Sequence, residues 1–226
     1  MAPSADNALA AASPTDEETT GAPPEGAEAP KKPDGRQLRR ERNRDAVVEA
    51  LLDLYRDGNL RPSTEEIATR SGLSPRSLFR YFDDVDDLAR TAMQRQLSRA
   101  RPLVEIAAEP DDPFDVRVSA LVNQRFTLFG VVGNSAEVMR LRAPAQPILA
   151  DELERNRKIL RSQIRHLFAG ELAAMEDGRA RRAVAAADVL TAFESYRNLI
   201  SHRAMSFEEA SAVMTEALTA VLTSNN

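Results

Sequence analysis

Residues 71–82 read SGLSPRSLFRYF, and the order of residue types in them decides the fold. Gly72 is a natural helix-ending glycine. Ser74 then caps a new helix, with Pro75 at the first helical position, where its missing N–H costs nothing. Leu78 and Phe82 are four apart and pack inward, with Leu73 of the turn beneath them. The other faces do not suit a core helix: Arg76 and Arg80 form one outward pair, Ser77 and Tyr81 a second, Pro75 and Phe79 a third. Just upstream, Ser63-Thr64-Glu65-Glu66 is a capping box, in which the Ser63 hydroxyl accepts from the Glu66 amide and the Glu66 side chain reaches back. The short helix it opens buries Ile67 and Ala68 and ends at Gly72. Helix, glycine turn, helix is a helix-turn-helix arrangement.

Outward from this motif the chain reads as helices, with almost no strand signal. Val47, Val48, Leu51, Leu52 and Tyr55 make one apolar face of a helix that stops near Gly58. Asp84-Val85-Asp86-Asp87 caps a fourth helix that runs to about Arg101, before Pro102. Further helices are expected over 113–132, 135–142, 148–169, 176–203 and 207–222, the last opened by a second capping box at Ser206. Pro144 and Pro147 break the run between two of them. The fold class is therefore all-α. Residues 1–35, rich in Ala, Pro, Glu, Thr and Gly, hold too little apolar surface to offset the entropy of ordering and are expected to be a disordered acidic tail.

The 226 residues carry a net charge of -5, unevenly spread. Residues 36–82 hold ten arginines against seven acids, whereas residues 83–226 hold 18 basic and 21 acidic residues. The locally positive segment is thus the one that contains the motif, as phosphate contact requires. There is no cysteine, and His166 and His202 lie far apart, so neither a metal site nor a cofactor is expected. The first residues lack the charged and apolar regions of a secretory signal, and no segment offers the roughly 18 apolar residues of a membrane span. A cytoplasmic protein with no membrane partner follows as the expectation. No nucleophile elbow, phosphate-cradling glycine loop or HExxH motif is found, so an enzyme is not expected.

A major groove admits one α-helix and presents guanine O6 and N7 to a bidentate guanidinium. The outward faces of the 75–82 helix meet that demand. At this point residues 40–90 resemble the TetR family of bacterial transcriptional regulators. The resemblance rests on Gly58, Ser63, Ile67-Ala68, Ser71-Gly72-Leu73-Ser74, Phe79-Arg80-Tyr81-Phe82 and Asp84 through Leu88. It implies an N-terminal three-helix DNA-binding domain over 36–84 and a C-terminal helical domain over 85–226 that binds a ligand and dimerises. The implied function is a regulator, by default a repressor, that binds palindromic double-stranded operator DNA as a homodimer and is released by a small-molecule effector. By position, Ser63 donates to a phosphate, and Arg76, Ser77 and Arg80 face bases or nearby phosphates. Two positions depart from the family pattern. The usual tyrosine is Phe79, leaving Tyr81 to supply a hydroxyl, and the usual lysine is Val85, among Asp83, Asp84, Asp86 and Asp87. Arg39, Arg40 and Arg44 are accordingly expected to carry more of the phosphate contact. For Phe79, burial against the first helix is the alternative.

For the effector, the sequence nominates Met93, Leu97, Leu121, Val122, Arg125, Phe126, Phe129, Met139, Leu153 and Gln163, with Asn123 as a further polar candidate. Arg125 falls on the apolar surface of the 113–132 helix, either as counter-ion to an acidic ligand or, structurally, as one half of a salt bridge or a snorkelling side chain. Ala183, Ala186, Ala187, Val189, Leu190, Phe193, Leu218 and Leu222 suit a dimer interface of four helices. The competing function is a helical interaction protein whose DNA-binding head has degenerated, a reading kept open by the acids at 83–87.

Overall fold

The computed structural model describes residues 35–223. The expected tail therefore lies outside the described residues, except that Gly35 opens the first helix. Helix α1 (Gly35–Arg56), α2 (Thr64–Ser71) and α3 (Pro75–Leu78) form the head. A long α4 (Val85–Ala100) leads into the body, made of α5 (Phe114–Arg142), α6 (Pro147–Leu167), α7 (Ala169–Ala173), α8 (Asp177–Leu190), α9 (Phe193–Arg197) and α10 (Phe207–Thr223). No strand occurs among the described residues.

The local signals act as their chemistry dictates. Ser63 Oγ accepts from the Glu66 amide at 3.2 Å, and Glu66 Oε2 accepts from the Ser63 amide at 2.6 Å. Gly72 ends α2 at φ 70°, a left-handed conformation that a Cβ would strain. The α3 helix is shorter than expected. After Leu78 the chain tightens, with Arg80 and Tyr81 amides bonding three residues back to Ser77 and Leu78, so Phe82 is reached through a turn.

The helices expected over 113–132 and 135–142 are both present, run together as α5 and separated by a kink at Gly133 (φ 39°, ψ −129°). One longer expectation changes. The helix expected over 176–203 is three pieces: α8, α9 and a π-turn over Asn198–His202. The break falls at Ala192, which is extended (φ −79°, ψ 161°), and side-chain hydroxyls take carbonyls on either side of it: Thr191 Oγ1 donates to the Ala187 carbonyl at 2.7 Å and Ser195 Oγ to the Val189 carbonyl at 2.6 Å.

Head and body share a core. Val47, Leu51, Ile67, Leu78 and Phe82 pack continuously with Leu88, Ala92 and Met93 of α4 and on to Val138, Met139, Leu149 and Leu153. A second cluster joins α5, α6 and α10 through Leu121, Val122, Phe126, Ile164 and Leu218. It is closed at one end by Arg117, whose guanidinium lies over the rings of Phe114 (5.6 Å) and Phe168 (5.4 Å) and pairs with Glu171 through two bonds of 2.5 and 2.9 Å.

Candidate nucleic-acid interface and ligand cavity

On α3 the buried Leu78 anchors the helix, and Phe82 just beyond it is likewise buried; Arg76, Phe79 and Arg80 face outward. Phe79 is 52% exposed, so the alternative of burial against the first helix is not realised. Ser77 is half-spent on the cap, its Oγ lying 2.9 Å from Ser74 Oγ. Ser63 is exposed at the start of α2, and its hydroxyl proton remains available while its oxygen caps the helix. The Tyr81 hydroxyl oxygen accepts from Asn43 Nδ2 at 3.0 Å, which ties it to α1 but leaves its proton to donate.

The arginines at the start of α1 divide. Arg39 and Arg40 are exposed. Arg44 turns inward instead: its guanidinium lies 5.0 Å over the Phe82 ring and reaches Thr91 Oγ1 at 3.5 Å. Cation–π attraction and partial burial hold it against the head. Of the arginines expected to carry phosphate contact, Arg44 is thus the one turned toward the protein, half-buried, while Arg39 and Arg40 stay exposed. The acids at 83–87 are largely occupied by the protein itself. Asp84 caps α4, Asp86 pairs with Arg142, and Asp87 accepts from Arg90 at 2.8 Å, which holds its carboxyl below the ordinary range.

Between α4, α5, α6 and α9 lies a cavity of about 720 Å³, within the range of small-molecule sites. Of the nominated residues, Met93, Leu97, Phe129, Met139 and Leu153 line it. Leu121, Val122 and Phe126 do not; they are turned into the second core cluster, because α5 is enclosed and apolar on more than one side. Asn123 is exposed. Arg125 and Gln163 sit behind the wall, in a buried network. Arg125 Nη1 donates to Gln124 Oε1 and, at 2.9 Å, to Gln163 Oε1; Nη2 donates to the Leu160 carbonyl at 2.9 Å. Both glutamines in turn donate to the Val104 carbonyl, and Gln124 also to that of Leu103. None of the sequence readings of Arg125 holds: it is not in the cavity, not hydrogen-bonded to a carboxylate, and does not snorkel to solvent. It is completely buried, its Nε has no partner, and burial pushes its pKa down to about 10.

Sequence reasoning missed Gln124, Leu160, Arg140 and Phe193 as parts of this region. Leu153 and Leu160 are seven apart on α6, a spacing that pointed to Leu160. Phe193 had been placed at a dimer interface. With Ala183, Ala187, Leu218 and Leu222 it is instead buried within the chain, which leaves Val189, 68% exposed, and the partly exposed Ala186 and Leu190 of that set.

No protein-family model matches the sequence, and no curated protein matches it significantly. Solved structures do match, as proteins with this fold. A transcriptional regulator from Rhodococcus sp. Rha1 superposes with TM-score 0.60 at 15% identity, covering 81% of this chain and 95% of that one. A protein from Rhodococcus sp. described as a TetR-family transcriptional regulator gives 0.54 at 21% identity, over 80% and 99% of the two chains. A TetR transcription regulator from Haloarcula marismortui gives 0.53 at 16%, over 80% and 98%. The chain thus shares the all-α fold of TetR-type regulators over about four-fifths of its own length and 95–99% of theirs.

Proposed function

We propose that this protein is a ligand-responsive DNA-binding transcriptional regulator, acting as a homodimer on a palindromic operator and, by default, as a repressor. The observation that carries the reading is the outward surface of α3 and of the turn that follows it: after the Gly72 turn, Arg76 is exposed on the short helix held by Leu78, and Phe79 and Arg80 are exposed just beyond its end. Arg76, Arg80 and Ser77 read the groove; Ser63, Tyr81, Arg39 and Arg40 contact phosphates. Residues 36–84 form the reading head, and residues 85–226 carry the effector cavity and the dimer contact. For the latter, α8 and α10 pack together and expose Val189 and Val213, apolar surface that a second copy would cover. Two-fold related heads must sit about 34–36 Å apart to enter successive major grooves. A ligand in the cavity, which α4 borders as it leaves the head, acts by preferring another spacing.

The test is selection of bound fragments from random or genomic DNA, followed by titration on the selected site. Arg76→Ala and Arg80→Ala should each weaken binding by about 1–3 kcal/mol with the melting temperature unchanged. Affinity should fall steeply with salt through counterion release. A monomer with no sequence preference would support the competing reading, a helical interaction protein with a degenerate head.

A further inference from the structure

The charges around the cavity do not balance. Its floor is apolar, with Met93, Leu97, Phe129, Met139, Leu153 and Phe193. Its polar edge carries four arginines, Arg101, Arg140, Arg155 and Arg157, against two glutamates, Glu105 and Glu152, with Glu194 a third carboxylate beside it, an excess of one positive charge. Glu152 is taken by Arg155. Arg140 and Arg157 share one carboxylate, that of Glu194, at 2.7 and 3.9 Å. Arg140 is held in place by the Phe193 ring, 4.3 Å away, and by the Ala136 carbonyl at 3.0 Å, so its guanidinium is fixed before any ligand arrives. Behind the wall stands Arg125, whose hydrogen-bond partners are all neutral. The nearest acid acting on it, Asp188, is itself bonded to Arg161 at 2.7 Å. A fixed cation in low dielectric raises the potential of the space beside it far more than an exposed one does.

We infer that the cavity takes an amphiphilic organic anion: a single acidic head seated on Arg140 and Arg157, with an apolar body along the floor. The inference rests on the cavity being the effector site and names the ligand's chemical type. Arg140 Nε is given to Glu194 and Nη1 to the Ala136 carbonyl, so Nη2 of Arg140 and the guanidinium of Arg157 supply the N–H donors for a carboxylate or sulfonate, and Arg125 favours the same sign of charge from a distance without touching the ligand. A cationic amphiphile of equal length is disfavoured by all three.

Three probes of one length decide it: decanoate, decanol and decyltrimethylammonium, each competed against the fluorescent anion 8-anilinonaphthalene-1-sulfonate on the full chain. Decanoate should bind at least about 10-fold more tightly than decyltrimethylammonium. Arg140→Gln combined with Arg157→Gln should weaken decanoate about 10-fold or more and leave decanol unchanged. Arg157→Gln alone changes a half-exposed side chain, so it keeps the fold and should show a smaller shift in the same direction. Equal binding of anion and cation, or equal losses for decanoate and decanol, would overturn the inference. Each probe is then added to the protein–operator complex. Arg-dependent decanoate binding that leaves the complex intact supports the ligand type and overturns the effector role. Release by the cation alone supports the effector role and overturns the ligand type.

Discussion

Glu171→Gln tests the balance of forces at the far end of the body. Arg117 is nearly buried, with 8% of its side chain exposed against 23% for Glu171. It spends Nε on the Asp112 carbonyl at 2.8 Å and part of Nη1 on the Leu167 carbonyl at 2.7 Å; Glu171 is the carboxylate bonded to it, with Asp112 and Asp111 adding weaker attraction. The amide keeps the shape but turns one acceptor into an N–H₂ facing a guanidinium. Breaking a buried pair from one side costs about 3–5 kcal/mol. Solvent reaches Glu171, which lowers the expectation here to about 2–3 kcal/mol, a loss of roughly 4–12 °C in melting temperature for a chain of this size.

The same substitution predicts a pH dependence. Arg117 holds the Glu171 carboxyl below its ordinary value of 4.5. The pair's contribution is therefore complete above that value and disappears as pH falls through the lower folded-state value. Urea titrations of parent and variant from pH 7 downward should show curves that differ most near neutrality and converge in acid. A loss under about 0.5 kcal/mol at pH 7, or an offset constant with pH, would refute the assignment of a charge clamp.

Two further substitutions probe the framework around the cavity. Gly133→Ala should cost about 1–3 kcal/mol in urea melts, because φ is 39° there while a Cβ would meet nothing within 4 Å; the cost is backbone strain alone, and an unchanged midpoint would contradict it. Arg125→Met should lower stability by about 2 kcal/mol, since it orphans the Gln124 and Gln163 acceptors while relieving the burial of a cation; a more stable variant would mean that the burial cost outweighs the bonds.

The head was legible in the sequence because its signals are local. A capping box, a glycine with positive φ and a proline at the first helical position each act within four residues, so no tertiary information is needed. The cavity was only half legible. Met93, Leu97, Phe129, Met139 and Leu153 lie on the faces that α4, α5 and α6 turn toward it, whereas Leu121, Val122 and Phe126 have the same character and face the core. Spacing marks an enclosed helix as apolar but cannot say which apolar side borders empty space. The inward turn of Arg44 likewise depends on where Phe82 ends up, a consequence of the tight turn after Leu78.

How a chain of net charge -5 can present a cationic face follows from where its acids are spent. Glu49 and Asp45, on the head's first helix, are held by Arg95 and Arg99 of α4; Asp86 is held by Arg142 of α5. The Arg99 and Arg95 hydrogen bonds keep the Glu49 carboxyl below its ordinary value despite partial burial. Arginines of α4 and α5 therefore neutralise acids beside the head, and Arg39, Arg40, Arg76 and Arg80 remain exposed on the head itself. Fields between exposed charges fade over about 8–10 Å at moderate salt, so the acidic remainder of the chain is screened from that face while its own arginines are not. Local pairing, rather than total charge, sets what a duplex approaching α3 would meet. Reversing one such pair with Arg95→Glu should therefore weaken operator binding although residue 95 is on no proposed contact surface. An affinity equal to the parent's at low salt would show that the pairing does not govern the face.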